Sequence, residues 1–182
     1  MKRALFAIAA VGLLAAACGG SGTGAATTAP KASPTPQTVY VFTADLASGA
    51  NEVPPVTDAE ASGTGTSTVT LTTTKDAAGK ITAATAKFEI VLKGFPATTS
   101  ITISHIHKGD AKTAGPVVVD SGMKADSPIV LTSGGTTITK ENLTVTPDLA
   151  TDLIANPGNY YYNVHSAVNK GGVVRAQLKA KS

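Results

Sequence analysis

Apolar residues recur at every second position in several stretches of the chain. Val39, Val41 and Thr43 alternate with Tyr40, Phe42 and Ala44, and Ala84, Ala86, Phe88, Ile90 and Leu92 repeat with a period of two. A half-buried strand shows this period because successive side chains leave opposite faces. Between the second run and the threonine-rich stretch Thr64–Thr74 lies Asp76-Ala77-Ala78-Gly79-Lys80, which reads as a hairpin loop. Further strands are predicted over Ser100–His107, Pro116–Asp120, Pro128–Thr132, Thr136–Lys140, Tyr160–Ser166 and Gly172–Lys179. One segment changes period. Thr146 is placed to cap a helix, Pro147 suits its first turn, and Leu149, Leu153 and Ile154 form an apolar side before Asn156-Pro157-Gly158 ends it. The pattern defines an all-β fold, an antiparallel Greek-key-like β-sandwich with one short helix, as a single domain over residues 38–182.

Composition supports that class. The 182 residues include 27 threonines and no tryptophan, and only 15% are charged, which suits β-branched strands better than a helical bundle or a disordered chain. The net charge of +3 invites a nucleic-acid reading. Lys2 and Arg3 supply two of those charges from an N-terminal leader; without them the balance is 13 minus 12, or +1. No basic patch is left, so no nucleic-acid partner is expected.

Residues 1–17, MKRALFAIAAVGLLAAA, have the layout of a secretory signal peptide: two cations, an apolar run, then small residues. The single cysteine, Cys18, follows at once. Leu14-Ala15-Ala16-Ala17-Cys18 resembles a bacterial lipobox, with Ala15 in the place where leucine is usual. The match implies that Cys18 is lipidated and that the protein is exported and held on the envelope membrane, on its periplasmic or cell-surface side. An ordinary signal peptide with an incidental cysteine is the alternative. Two or three acyl chains anchor stably where one would be marginal. Gly19–Gln37 is rich in Gly, Ser, Thr, Ala and Pro, so residues 18–37 form a lipidated start and a tether spanning about 25 Å as a flexible coil.

The candidate chemistry lies in the three histidines of the chain, His105, His107 and His165. His105 and His107 are two apart, so on a strand they leave one face with roots about 7 Å apart. Ile101 and Ile103 share that parity and are expected to continue the row. His165 falls on another strand, in phase with Tyr161 and Asn163. If the strands meet, three imidazoles converge, a set that suits copper, with zinc less favoured, and leaves a fourth position open. The alternative is that the histidines are packing residues bonded to nearby backbone. Around them, Asp110 and Asp120 are candidates to complete a metal shell, or are simply solvated loop acids. Arg175 either faces the histidines, or pairs with an acid such as Glu52 or simply packs its stem, and Tyr161 either fills the core or stands beside the ion. The chain carries no thiol besides Cys18, no G-x-S-x-G elbow and no phosphate-cradling glycine loop.

Three stretches together resemble the CHRD domain. They are Leu46-Ala47-Ser48-Gly49-Ala50-Asn51-Glu52-Val53-Pro54-Pro55, then His105-Ile106-His107-Lys108-Gly109 with Gly115-Pro116-Val117-Val118, and Tyr161-Tyr162-Asn163-Val164-His165-Ser166 with Gly171-Gly172-Val173-Val174-Arg175-Ala176-Gln177-Leu178. Departures are Lys170 where the family often has proline, Val173 for an acidic residue, Ser166 for threonine and Ala176 for glycine. The resemblance implies an extracellular β-sandwich without a defined reaction. The His-x-His pair with its following Gly-Pro also resembles the copper stretch of copper/zinc superoxide dismutases. Those enzymes need further histidines, so three histidines exclude a dinuclear dismutase and leave a mononuclear copper site. The readings carried forward are a copper-binding lipoprotein, a module presenting loops to an envelope protein or polysaccharide, and a mononuclear copper redox enzyme.

Overall fold

The computed structural model describes residues 35–181; the leader, Cys18 and the tether up to residue 34 lie outside the described residues. In chain order the strands are β1 (Gln37–Ala47), β2 (Thr64–Lys75), β3 (Ile81–Lys93), β4 (Ser100–Lys108), β5 (Val117–Asp120), β6 (Ile129–Val130) and β7 (Thr136–Val145). Helix α1 (Pro147–Ala155) follows, then β8 (Tyr160–Ser166), β9 (Val174–Gln177) and β10 (Lys179–Ala180). Among the described residues no helix is long and apolar enough to cross a membrane.

All pairings are antiparallel, in the order β5-β4-β8-β9-β1-β2-β3-β7, with β6 beside β4 and β10 beside β1. The sheet bends back on itself into a barrel-like sandwich. Its seam is thin: β9 meets β1 at the single pair Ala47–Arg175, and β10 carries the contact on at Phe42–Ala180. The two halves face each other across an apolar core, where the Phe88 ring of β3 meets Tyr162 of β8 edge-on at 5.1 Å. Phe42, Ala44 and Leu46 of β1, Val69 and Leu71 of β2, and the Ala84–Leu92 series of β3 all point inward. Each fully buried large side chain contributes about 1.5–3 kcal/mol of transfer free energy.

The helix forms where its caps place it. Thr146 Oγ1 accepts from the Leu149 N–H at 3.4 Å, and Leu153 is buried. Asp152 fastens α1 to the sheet by accepting from Lys108 Nζ at 2.8 Å and from the Tyr160 hydroxyl. Those hydrogen bonds, Lys108 first, hold its carboxyl well below the usual range.

Three local details differ from the sequence expectation. β7 runs on to Val145 because Asn142 takes a left-handed φ of 58°, absorbing a register shift opposite Ala86 and Phe88. The strand expected over Gly172–Lys179 is two strands, parted at Leu178, whose N–H donates to the Tyr160 carbonyl at 2.8 Å. The row Ile101-Ile103-His105-His107 is broken as well. A register irregularity between Ile101 and Ile103 leaves Ile101 and Ile106 in the core and turns His105 and His107 to the other face.

Candidate metal centre

β4 and β8 pair so that His105 lies opposite Asn163, His107 opposite Tyr161, and Ile103 opposite His165. Alternation along these strands then sends Ser104 and Ile106, with Tyr160, Tyr162 and Val164, into the core. It sends His105, His107, Tyr161, Asn163 and His165 to the outer face, where Arg175 of β9 joins them opposite Asn163. That face is not bare. The loop 109–116 and the turn 167–172 cover it, and the histidines are only 7, 8 and 6% exposed.

The three imidazoles converge. Ring centroids are 5.5 Å apart for His105–His107, 5.1 Å for His105–His165 and 6.1 Å for His107–His165. One nitrogen from each ring lies within 4.8 Å of the others. Hydrogen bonds on the far sides fix which nitrogens these are. His165 Nδ1 lies 2.9 Å from the Lys170 carbonyl and His107 Nδ1 lies 2.9 Å from the Gly115 carbonyl. A carbonyl only accepts, so both Nδ1 atoms carry hydrogen and both Nε2 atoms present lone pairs. His107 Nε2 is buried with no partner.

His105 sharpens the point. Its Nδ1 is 3.3 Å from His165 Nε2, and its Nε2 is 3.3 Å from Asp120 Oδ2. A neutral ring has one proton for two acceptors. Placed on Nε2, the proton serves Asp120 and leaves two nitrogen lone pairs face to face; placed on Nδ1, it leaves a lone pair against a carboxylate. A cation between the nitrogens removes the conflict. With metal–nitrogen bonds of about 2.0–2.1 Å, a tetrahedral site has nitrogens about 3.3 Å apart, the His105–His165 spacing. Two such bonds span at most about 4.2 Å, so an ion held by all three rings would need nitrogens as far apart as 4.8 Å to close by at least about 0.6 Å.

Electrostatics keep the rings available as neutral ligands. Burial lowers the pKa of all three; it pushes His165 down to about 4, against the pull of its bond to Lys170. At His107 the Arg175 charge adds to burial, and at His105 burial outweighs the attraction of Asp120. The far-side bonds orient the rings as carbonyl and carboxylate partners do in metal sites.

The supports are specific. The Gly115 peptide accepts from His107 and donates its N–H to the Tyr161 hydroxyl at 3.0 Å, while the Tyr161 ring stacks on His107 at 4.8 Å and 5°. A Cβ at Gly115 would overlap the Lys108 carbonyl, so only glycine allows this approach. The turn that presents the Lys170 carbonyl is held by Glu60, buried in a short 3-10 turn (Ala59–Ser62), which accepts from Ser166 Oγ and, at 2.8 Å, from Asn169 Nδ2.

The other candidates fall into place unevenly. Asp120 contacts His105. Tyr161 lies between His107 and the Arg175 guanidinium, whose carbon is 3.6 Å from the ring centroid. Arg175 forms no ion pair with Glu52 among the described residues; it donates to the carbonyls of Asp110 at 2.8 Å and Thr113 at 3.2 Å, bracing the covering loop. The Asp110 carboxylate turns to the Lys112 N–H and Thr113 hydroxyl of its own loop, away from the histidines' partners. Sequence reasoning did not single out Gly115, Asn163 or Glu60. The first two stand inside the recognisable motifs, whereas Glu60 gives no local signal, its partners being more than a hundred residues away.

An antiparallel sandwich carrying a buried histidine face thus defines the class. The CHRD domain family matches residues 42–178, and the chain belongs to that family. No curated protein and no solved structure matches the chain.

Proposed function

We propose that this CHRD domain binds a transition-metal ion, copper by preference, through His105 Nδ1, His107 Nε2 and His165 Nε2. The observation that carries the reading is the orphaned, buried His107 Nε2 on the same face as two further ring nitrogens, His105 Nδ1 and His165 Nε2, set 3.3 Å apart. Buried polar atoms are rarely left without partners, and an ion bound by all three nitrogens supplies the partner. The donor set of imidazoles suits copper, zinc and nickel. Three protein ligands leave a coordination position for delivery to, or capture from, another carrier. In this reading Cys18 carries the lipid and the metal is stored, passed on or kept from harm at the envelope surface.

Copper(II) and zinc(II) titrations of the purified protein, beside a His105→Ala/His107→Ala/His165→Ala variant, test it. Tight uptake of one ion per chain, lost in the variant, is the expected result; no uptake by the native protein at neutral pH sinks it. A second reading, a module for an envelope protein or polysaccharide with structural histidines, draws on the bonds from His107 and His165 to loop carbonyls. It requires that the triple variant lose its fold while the native protein takes up no metal.

A further inference from the structure

We propose that Glu52 is the proton store of the histidine centre: it stands as a neutral carboxylic acid paired reciprocally with Asn163, and it releases that proton when a dication enters the three-imidazole site. The release step rests on the metal-binding reading above; the neutral acid does not.

Glu52 comes from the segment between β1 and β2 and is only 2% exposed. Asn163 Nδ2 donates to its Oε2 at 3.5 Å, which leaves two orphans in one pair: Glu52 Oε1 and Asn163 Oδ1 are both buried without partners. Both are acceptors if Glu52 is ionised, and the pair then has no donor to offer either. A single proton on the carboxyl group supplies the missing donor and turns the pair into a reciprocal acid–amide contact. Gly172 presses on both residues, since a Cβ there would come within 2.5 Å of Asn163 Nδ2 and of Glu52 Oε2. Burial raises the Glu52 pKa to about 7, with the Arg175 charge the main opposing influence.

Position connects this proton to the histidines. Asn163 is opposite His105 on one side and opposite Arg175 on the other, and His165 is two residues along on the same face. The amide of Asn163 therefore separates Glu52 from the centre. Other charged groups around this layer are Asp120 beyond His105, Asp110 and Lys112 in the loop capping Arg175, and Lys170 in the turn before Gly172. Arg175 is the one whose charge acts on Glu52. When a dication adds two positive charges to a buried face that already holds Arg175, ionisation of Glu52 returns one charge. The O–H bond of Glu52 breaks, the carboxylate keeps the electron pair, and the proton passes to solvent buffer. Net charge rises by one instead of two.

Infrared spectroscopy of the whole protein at pH 6, with and without copper(II), tests both halves, with Glu52→Gln as the control. Glutamine preserves a reciprocal amide pair with Asn163 and has no acidic proton. The expected result is a carboxylic-acid C=O band in the metal-free native protein that is absent from the variant. Copper(II) removes that band. Calorimetry in buffers of different ionisation enthalpy then finds about one more proton released by native protein than by Glu52→Gln, whose copper affinity falls on the order of tenfold. Absence of the band in metal-free native protein overturns the proposal whatever the metal does. A band that survives saturating copper, or equal proton release from both proteins, overturns the release step while metal binding stands. A band present in a protein that takes up no copper overturns the metal-binding reading and the release step with it. If Glu52→Gln does not fold, ¹³C-glutamate labelling of a Glu60→Gln protein makes the assignment by moving the band, since Glu52 is then the one buried glutamate among the described residues.

Discussion

The two faces of β4, β8 and β9 are buried to nearly the same degree and are made in opposite ways. Inward, Ile106, Tyr160, Tyr162, Val164 and Val174 pack against the other half of the sandwich, and the polar pair there, Ser104 Oγ and the Tyr162 hydroxyl, is satisfied at 2.9 Å. Outward, His105, His107, Tyr161, Asn163, His165 and Arg175 lie under loops instead of a second sheet. Four of the seven buried polar atoms without partners among the described residues belong to this outer layer or to Glu52 against it: His107 Nε2, Asn163 Oδ1, Gln177 Oε1 and Glu52 Oε1. Burial by itself does not separate a core from a site. On these three strands unmet hydrogen-bonding capacity does, because it collects on the outward layer while the inward polar pair is satisfied.

Substitution on the two faces breaks this contrast or sharpens it. Tyr162→Ala should lower the unfolding free energy by about 3–5 kcal/mol, whereas His107→Ala in the metal-free protein should cost about 1–2 kcal/mol, for a hydrogen bond and a ring stack. Copper uptake should reverse the order, surviving in whatever Tyr162→Ala protein is folded and failing in His107→Ala. Equal stability losses in urea melts would erase the distinction between the faces.

Titration gives the next largest effect. Glu52 has its carboxyl raised to about 7 in the fold from 4.5, so its contribution is fully present below pH 4.5 and is lost as pH rises through 7. Relative to the native protein, Glu52→Gln should therefore gain stability over that window, approaching about 3 kcal/mol above pH 7. His165 works in the opposite sense. Its pKa falls to about 4 from 6.5, so its contribution is complete above pH 6.5 and is lost as pH falls through 4. Chemical denaturation from pH 4 to 8 for the native and Glu52→Gln proteins reads the difference, and a gap that stays constant with pH contradicts it.

The two aspartates provide the smallest contrast. Asp120→Ala removes the partner of His105 and should weaken copper binding about tenfold. Asp110→Ala touches only its own loop and should leave affinity within about twofold. Competition titrations distinguish them, and a larger effect at Asp110 would mean that the covering loop matters more than the histidine partners.

The strands β1 to β3 and the capped helix were legible because their signals are local: alternation in Ala84–Leu92, Thr146 before Pro147, a turn at Asp76–Lys80. The histidine motifs were legible as motifs. Their meeting was not, since it depends on β4 pairing with β8 across roughly sixty residues, and no spacing encodes a partner. The expected row from Ile101 to His107 failed for a related reason. One irregularity in the pairing reverses every side chain beyond it, and the sequence carries no mark of it there. Pairing with an acid such as Glu52 was one of the roles open to Arg175. The fold instead commits the guanidinium to the carbonyls of Asp110 and Thr113 and pairs the carboxyl with an amide.

His165 donates its outer hydrogen bond to the main-chain carbonyl of Lys170 and not to a side chain. Where CHRD sequences often carry proline, this chain carries lysine, and both residues own the same carbonyl oxygen. The orientation of His165 is thus set by the path of the backbone, and the side chain at residue 170 is not the group that holds it. His107 has the same arrangement, but its carbonyl belongs to Gly115, where a single added methyl has nowhere to go.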